Sequence, residues 1–214
     1  MADNYLEKRY EEVFGARNAG TSSSALHPTL DALLARNRSC RAYDRSYAVH
    51  RFQLEAIVRV NTRVASACNA QRLRFRLVLK GGLSSGLLSC LNMGTDPDGS
   101  RLPLPGMEPE SFIVVCSKGE ADRELYTDLG ISCQSMLLKA SEMGLGGVIV
   151  FSFDKTAVRN LLSLDLEPLA VLPIGRPAER PVLVGVGEDG SLVRYRDENG
   201  VPCVPKLPLE SILV

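Results

Sequence analysis

The apolar run Phe112 to Cys116, together with the segment that follows it in the sequence, constrains the fold most strongly. Five consecutive apolar residues, three of them β-branched, are typical of a strand buried on both faces. Behind them, apolar residues recur at steps of three and four, and Gly144 stands where a left-handed C-terminal cap is expected. The side of the predicted helix that they share is formed by Leu125, Leu129, Cys133, Met136, Leu137 and Ala140. A doubly buried strand followed by a long amphipathic helix predicts helices packed on a sheet.

The rest of the chain shows the same two periodicities, interrupted by loop signals. Thr29 is a suitable N-cap for a short helix with Leu30, Leu33 and Leu34 on one face. The predicted elements, in chain order, are a helix over 5–14, the helix after Thr29, a helix over 53–65, strands over 75–79 and 112–116, the helix over 125–140, a strand over 148–151, a helix from Asp154 to 162, and a strand over 169–174. Helices first, then strands interleaved with helices, predict an α+β or α/β layer structure.

A single domain spanning 1–214 is the favoured organisation, because one domain usually takes 100 to 200 residues. Within it we expect an N-terminal helix and loop over 1–28, a long loop over 81–109 and an open C-terminal arm over 193–214. The chain has 45% hydrophobic and 23% charged residues, which is typical of a globular protein.

The charge balance argues against nucleic-acid and membrane partners. Twenty-five Lys and Arg against 25 Asp and Glu give a formal net charge of zero, so the overall basic field of such binders is missing. The charged N-terminus contains no secretory signal pattern, and no apolar run approaches the length of a membrane helix. We therefore expect a cytoplasmic protein.

Metal and hydrolytic chemistry have little support in the sequence. The six cysteines occur singly, without a C-x-x-C pair, and only two histidines are present. We interpret the cysteines as buried thiols and expect no metal site. The glycine-rich segments 81–86 and 144–147 lack, respectively, the Lys of a Walker loop and the strand-to-helix order of a phosphate loop. Residues 144–147 are instead interpreted as a helix cap and a tight turn, and no catalytic residue is assigned.

A basic cluster follows the helix that begins after Thr29. Arg36, Arg38 and Arg41 lie within six residues, with the hydroxyl of Ser39 between them. Guanidinium groups present paired donors that fit a phosphate better than a single Lys does. An anion site is one interpretation of this cluster, and a solvated basic turn is the other.

A polar hexapeptide, Ser66 to Gln71, follows the predicted 53–65 helix. The amides of Asn69 and Gln71 each offer a donor and an acceptor, which suits the edge of a heterocycle with alternating C=O and N–H groups. Amides in loops also commonly cap helices or face water, so this alternative stays open for the hexapeptide considered alone.

The order of these motifs resembles the FMN-dependent nitroreductase family. The resemblance spans roughly 30–214 and rests on five segments: Arg38-Ser39-Cys40-Arg41-Ala42-Tyr43, Ser66-Ala67-Cys68-Asn69-Ala70-Gln71, Gly144-Leu145-Gly146-Gly147 with the segment to Asp154, Tyr195-Arg196-Asp197-Glu198-Asn199-Gly200, and Val204-Pro205-Lys206. No single motif is decisive, but their order and spacing together are specific.

This resemblance implies both a fold and an assembly. The fold would be an α+β, nitroreductase-like α/β/α sandwich with a central mixed, mostly antiparallel sheet. The assembly would be an intertwined homodimer in which the 193–214 arm of each chain reaches the partner subunit. One FMN would lie in each of two clefts at the interface.

The resemblance also implies roles for particular residues. Arg38, Ser39 and Arg41 would hold the ribityl phosphate or the pyrimidine edge, and Cys40 would contribute a backbone contact. Asn69 and Gln71 would form hydrogen bonds to the pyrimidine carbonyls and the ribityl chain from the other side. Lys206 in the tail would reach the phosphate. The complete set expected to bind FMN is Asn37, Arg38, Ser39, Cys40, Arg41, Asn69, Gln71, Ile149, Val150, Phe151, Ser152 and Lys206.

The activity implied is an oxidoreductase in which NAD(P)H reduces FMN and leaves before a nitroaromatic, quinone or flavin-type acceptor enters. Alternatives are an FMN storage or sensing protein without turnover, and a relative with dehalogenase or flavin-modifying chemistry. The sequence departs from the family pattern at Asn37, Arg72 and Leu207. Phe151 stands where a small glycine is common, which predicts a narrower range of acceptors.

Overall fold

The computed structural model describes residues 28–214, so the helix and loop predicted over 1–28 lie outside the described residues except for Pro28. The α-helices are α1 (Leu30–Arg36), α2 (Arg51–Val58), α3 (Gly82–Ser89), α4 (Arg123–Glu142) and α5 (Lys155–Leu162). The strands are β1 (Leu73–Val78), β2 (Ser111–Ser117), β3 (Gly146–Gly147), β4 (Glu167–Gly175), β5 (Val182–Gly185), β6 (Tyr195–Arg196) and β7 (Pro202–Lys206). Short 3-10 helices occur at Arg59–Thr62, Ala67–Asn69 and Leu209–Ser211.

The central sheet has the strand order β1-β2-β4-β3, and its named strands all pair antiparallel. Ser39 adds a parallel bridge to Gly147 at the β3 edge, which gives the mixed, mostly antiparallel pattern that was predicted. Every residue of β2 is buried, as its continuous apolar run predicts. The strand is buried on both faces because its side chains alternate between two hydrophobic clusters.

Helices cover both faces of this sheet. On one face, Leu54 of α2 and the apolar stripe of α4 pack with Ile113 and Val115. On the other face, Leu87 of α3 and Val158 of α5 pack with Phe112. The α/β/α sandwich expected from the resemblance is therefore confirmed.

Helix α4 begins and ends where local chemistry dictates. The side chain of Asp122 accepts the N–H of Leu125, which satisfies one of the free donors of the first turn. Gly144 has φ +73°, the left-handed conformation expected just beyond a helix end. The six apolar residues predicted to face the core are all buried.

The C-terminal segment forms a second, three-stranded sheet in the order β5-β7-β6, with β5 and β7 parallel. Part of the predicted 193–214 arm thus packs on its own chain. Beyond β7, Leu209, Ile212 and Leu213 are each at least 60% exposed. The contact of this arm with a partner subunit stays a prediction.

Three predicted elements differ from the structure. The loop predicted over 81–109 contains α3, a Gly- and Ser-rich helix whose Ser84 hydroxyl closes its first turn on Gly81. The helix predicted over 53–65 begins earlier, at Arg51, and tightens into a 3-10 turn that ends at Thr62. The strand predicted over 148–151 is wrong, because only Val150 forms a bridge there.

All six thiols are free. Cys40, Cys116, Cys133 and Cys203 are buried, as predicted, whereas Cys68 is exposed. Within residues 28–214, no helix has both the length and the apolarity to cross a bilayer.

Candidate functional site

A basic cavity of about 350 Å³ lies where the segment after α1 meets the C-terminal strands. Its lining includes five of the predicted residues, Asn37, Arg38, Ser39, Arg41 and Lys206. The fold therefore joins the arginine cluster near the N-terminus to the basic residue of the tail, although the two are far apart in the sequence.

The conformation of the chain after α1 explains which side chains enter this cavity. Asn37 and Arg38, directly after α1, both line the cavity. Beyond them the side chains alternate, so Ser39 and Arg41 line the cavity while Cys40 between them is buried. The N–H of Cys40 donates to the carbonyl of Gly147 at 2.9 Å. A Cβ on Gly147 would lie 2.5 Å from the carbonyl oxygen of Pro173, so only glycine fits there without a shift.

Five cationic side chains and one carboxylate line the cavity. The carboxylate is Asp96, whose side chain is 5% exposed, and it accepts Nη2 of Arg194 at 3.2 Å and Nε of Arg196 at 2.8 Å. Arg196 is also paired with Glu179 at 2.8 Å. These contacts compensate part of the charge of the two C-terminal arginines and anchor them on the loop after α3.

Arg38 and Arg41 are less fully compensated. The Nε of Arg38 is buried and has no hydrogen-bond partner among the described residues, while its terminal nitrogen donates to the carbonyl of Leu34. Arg41 donates Nε to the carbonyl of Met93 at 3.1 Å. Burial, and next the positive charge of Arg194, hold the pKa of Arg41 below its usual range. An anion in this cavity would offset the positive charge around Arg41.

Sequence reasoning missed several residues of the cavity. Arg194, Tyr195 and Arg196 line it together with Asp96 and Gln134. The Arg-x-Arg spacing at 194–196 was the available signal, because alternation along a strand places both arginines on one face. No local sequence pattern indicated that Asp96 belongs to the cavity, because its partners Arg194 and Arg196 lie about one hundred residues away.

The predicted amide residues lie in a tight loop, Ser66–Gln71. Cys68, Asn69 and Gln71 have φ values of 50°, 54° and 48°, which are uncommon for residues other than glycine. Each such conformation costs on the order of 1–3 kcal/mol and tends to occur at functional sites. Gln71 donates its side-chain nitrogen to Oδ1 of Asn69 at 3.0 Å, so the two amides form one exposed polar unit.

Within one chain this loop does not face the basic cavity. Gln71 lines a separate cavity of about 710 Å³ along β1, while Asn69 lines neither of the two. The family resemblance implies FMN clefts at a subunit interface, with the amides of Asn69 and Gln71 on the side opposite the arginines. The structure of the single chain keeps the two groups apart.

The segment Ile149–Ser152 continues from β3 but does not line the basic cavity. Ile149 packs against the larger core cluster, and Val150 exchanges both backbone hydrogen bonds with Val171. Phe151 is 59% exposed. The carbonyl of Ser152 accepts the N–H of Asn92 at 2.8 Å.

Cys40 also lies outside the cavity lining, and both of its backbone groups are used within the chain. Its carbonyl accepts the hydroxyl of Tyr43 at 2.7 Å, in addition to the N–H bond to Gly147. Burial raises the pKa of the Cys40 thiol to about 12, so the thiol stays protonated near neutral pH.

Comparison with known proteins supports the resemblance that the motifs indicate. Residues 102–176 match the model of the Nitroreductase family. No curated protein sequence matches the chain.

Solved structures resemble the chain over most of its length. A variant of the FMN and NADPH-dependent nitroreductase NfnB from Sphigopyxis sp. strain HMH has 19% identity and a TM-score of 0.62, over 87% of this chain and 98% of that one. The nitroreductase family protein from Streptococcus pneumoniae TIGR4 has 14% identity and a TM-score of 0.60, over 87% and 99%. An FMN-dependent nitroreductase from Clostridium difficile R20291 has 19% identity and a TM-score of 0.59, over 71% and 89%. These similarities show that the chain has the nitroreductase fold.

Proposed function

We propose that this chain is an FMN-dependent oxidoreductase that uses NAD(P)H to reduce a nitroaromatic, quinone or flavin-type acceptor, taking the two substrates in turn. The observation that carries the proposal is the excess of positive charge in the basic cavity, together with the buried, unpartnered Nε of Arg38. A phosphate dianion would offer an acceptor to Arg38 and a counter-charge to Arg41, whose pKa is lowered by burial and next by the positive charge of Arg194. The nitroreductase fold and its FMN-dependent relatives support FMN as the source of that phosphate.

Different residues of this chain would bind different parts of the cofactor. Arg38, Arg41 and Lys206 would bind the phosphate end, with the hydroxyl of Ser39 as a further donor. FMN held by these residues would supply the hydride and two-electron transfer chemistry that links a nicotinamide to the acceptor. A guanidinium near the pyrimidine edge would stabilise the negative charge of the reduced ring.

The proposed site needs two chains. The basic cavity, at about 350 Å³, is at the low end of ligand-pocket volumes, and the amide loop lies outside it. We propose that the Ser66–Gln71 loop of one subunit lies over the basic cavity of the other. Helix α4 offers a contact surface for this arrangement, because Gly130, Ile131 and Gln134 are exposed along one stripe and Gln134 reaches the cavity.

The free edge of the central sheet offers a second contact between subunits. β1 is the outermost strand, and the 710 Å³ cavity runs along it, lined by Leu73 to Leu77. The exposed apolar residues Leu209, Ile212 and Leu213 lie in a segment that extends beyond β7. We propose that this segment of the partner covers the edge, which would bury its exposed apolar residues and cover the free strand.

The test starts from the absorption spectrum of the purified protein, before and after addition of FMN. NADH or NADPH is then added without air, followed by a nitroaromatic or a quinone. We expect flavin absorbance that is bleached by a nicotinamide and restored by the acceptor. A protein that takes up no FMN, or that oxidises neither nicotinamide, contradicts the proposed function.

A yellow protein that is inert toward both nicotinamides would indicate FMN storage or sensing instead. A matched control is the Arg38→Ala/Arg41→Ala double variant, which removes two cations from the cavity. It should lose FMN uptake and, with it, nicotinamide oxidation. Oxidation that persists in this variant would show that the reaction takes place elsewhere.

A further inference from the structure

A buried carboxylate of α4 holds the amide loop. The Oδ1 of Asp128 accepts the N–H of Ala67 at 2.8 Å, and Asp128 is 4% exposed. Ala67 is the first residue of the short 3-10 helix that leads into the strained part of the loop. Asp128 therefore fixes the loop at its entry point, from an element that belongs to the rigid core.

The hydrogen bonds inside the loop join only near neighbours, such as the N–H of Asn69 with the carbonyl of Ser66 at 3.0 Å and the N–H of Ala70 with the carbonyl of Ala67 at 2.9 Å. The bond from Ala67 to Asp128 ties the loop to α4. The Ser66 hydroxyl makes no capping bond to the 3-10 helix and instead accepts the N–H of Gln71 at 3.2 Å. Three of the four residues from Cys68 to Gln71 adopt positive φ. Such conformations persist only where the surrounding structure determines them.

The second oxygen of Asp128 shows that the carboxylate is not placed for packing alone. Its Oδ2 is buried and has no hydrogen-bond partner among the described residues. An unsatisfied buried acceptor destabilises the folded state, and an apolar side chain would avoid this penalty. An apolar residue would lack two interactions of Asp128: its hydrogen bond to Ala67 and the attraction of its charge to Arg72. Of the two, the bond to Ala67 acts on the amide loop.

We propose that Asp128 is a positioning residue: by accepting the N–H of Ala67, it holds Asn69 and Gln71 in the conformation that binds the flavin. This inference rests on the proposed function and adds to it the group that orients the amide loop. Asp128 itself acts through the loop rather than on the cofactor.

Two variants of Asp128 separate its role as an acceptor from its charge. Asp128→Ala removes the acceptor, whereas Asp128→Asn keeps an oxygen at the same position without the charge. We expect Asp128→Ala to raise the dissociation constant of FMN about tenfold, the scale of one buried hydrogen bond, and Asp128→Asn to stay within about twofold of the wild type. Hydrogen exchange of the Ala67 amide, measured without FMN, should accelerate about tenfold in Asp128→Ala only.

Ser132→Ala is the matched control. Ser132 lies one turn further along the same face of α4, is 2% exposed, and donates its hydroxyl to Oδ1 of Asn61 at 2.5 Å rather than to a loop residue. The Ser132→Ala variant loses a buried hydrogen bond of the same helix, so it measures how far a general loss of α4 packing affects FMN binding. FMN binding and Ala67 exchange should stay near wild-type values in Ser132→Ala.

Ala67→Pro tests the bond from its other end, in case Asp128→Ala fails to fold. Proline suits the first position of a helical turn, and Ser66 already has the extended conformation that precedes proline (φ −139°, ψ 152°). Ala67→Pro should weaken FMN binding about as much as Asp128→Ala, and the double variant should be little worse than either single variant.

The outcomes are distinct. FMN binding by Asp128→Ala at wild-type strength, an equal loss in Ser132→Ala, or a failure of Asp128→Asn to restore binding overturns the inference. A wild-type protein that takes up no FMN overturns the proposed function and, with it, the flavin-positioning role. Wild-type uptake together with unchanged Asp128→Ala leaves the proposed function in place and removes only the role of Asp128.

Discussion

The guanidinium Nε of Arg196 donates to Oδ2 of Asp96 at 2.8 Å, and this bond joins β6 to the loop that follows α3. The same carboxylate holds Arg194, so one buried acid organises two of the five cations around the basic cavity. The basic cavity thus depends on a negative charge for its shape.

Asp96→Asn should therefore destabilise the protein in an anion-dependent way. Arg194 would lose its counter-charge and Arg196 would keep only Glu179, so we expect the free energy of unfolding to fall by about 2 kcal/mol. Because phosphate would replace part of the missing charge, this loss should be smaller in phosphate than in chloride at equal ionic strength. Chemical denaturation in both buffers measures the effect.

Glu55→Gln is the matched control for that experiment. It breaks the exposed Arg51–Glu55 pair, whose two side chains are 68% and 46% exposed. Such pairs contribute about 0.5 kcal/mol or less, and we expect no specific effect of phosphate. An equal phosphate dependence in Glu55→Gln and Asp96→Asn would contradict the assignment of an anion site to this cavity.

Arg41→Ala should weaken FMN binding by about 1–3 kcal/mol, the range for a charge-assisted hydrogen bond. The guanidinium is held in a partly buried position beside Arg194, so it is already oriented and incompletely neutralised. Fluorescence titration with FMN measures the change. Arg36→Ala is the control, because Arg36 is exposed, belongs to the same basic cluster and does not line the cavity. Equal losses in the two variants would point to a general charge effect.

The sequence predicted well those elements whose local and tertiary preferences agree. Helix α4 has a side-chain cap at Asp122, a 3.6-residue apolar period and Gly144 at its end, so each local signal supports the same structure. Helix α3 was missed because Gly and Ser are poor helix formers. It forms because Leu87 is fully buried and Gly86 packs closely against Leu161.

The strand predicted over 148–151 does not form, and the reason lies in tertiary contacts. The carbonyl of Gly147 bonds the N–H of Cys40, so the chain that follows β3 meets the segment after α1 and pairs with β4 only at Val150. A β-branched run cannot reveal that a distant segment occupies the neighbouring position.

The basic half of the candidate site could be predicted because its arginines lie within one short extended segment. The pairing of Asp96 with Arg194 and Arg196 could not, since it depends on contacts across about one hundred residues. The amides of Asn69 and Gln71 were predicted to bind the flavin from the side opposite the arginines, but the single chain places them outside the basic cavity, and their role stays a prediction.

Phe151 should restrict the acceptors of the proposed reaction. Its ring is 59% exposed in the segment expected to lie along the flavin. Phe151→Ala should raise kcat/KM for a bulky nitroaromatic about tenfold, with little change for a small quinone, because removing the ring opens space that only the larger acceptor uses. Phe52→Ala is the control, since Phe52 is 66% exposed on α2. Equal gains for both acceptors would contradict a steric role.

Gly130→Leu should separate the subunits of the proposed homodimer. A Cβ at Gly130 meets nothing within 4 Å in the single chain, and Leu is a good helix former, so folding of the chain should not suffer. In the proposed dimer the leucine would lie in the contact surface that α4 offers to the partner subunit and force the subunits apart. Sedimentation should show a monomer that binds FMN weakly. Gly187→Leu, at an exposed glycine that also has open space, should stay dimeric.

The buried thiols should make the protein sensitive to alkali. Burial raises the pKa of Cys40 and of Cys133 to about 12, whereas a thiol in the unfolded chain ionises near 9.0. Because the folded state favours the protonated thiol, its contribution to stability is complete below pH 9.0 and is lost progressively as the pH rises toward 12. Denaturation at a series of pH values should therefore show a falling free energy of unfolding above pH 9.0.

In the native protein at pH 8, a maleimide should modify the exposed Cys68 first, and Cys68→Ser should abolish that rapid phase without changing the alkaline profile. Rapid labelling of Cys40 or Cys133, found by mass spectrometry, would contradict their burial.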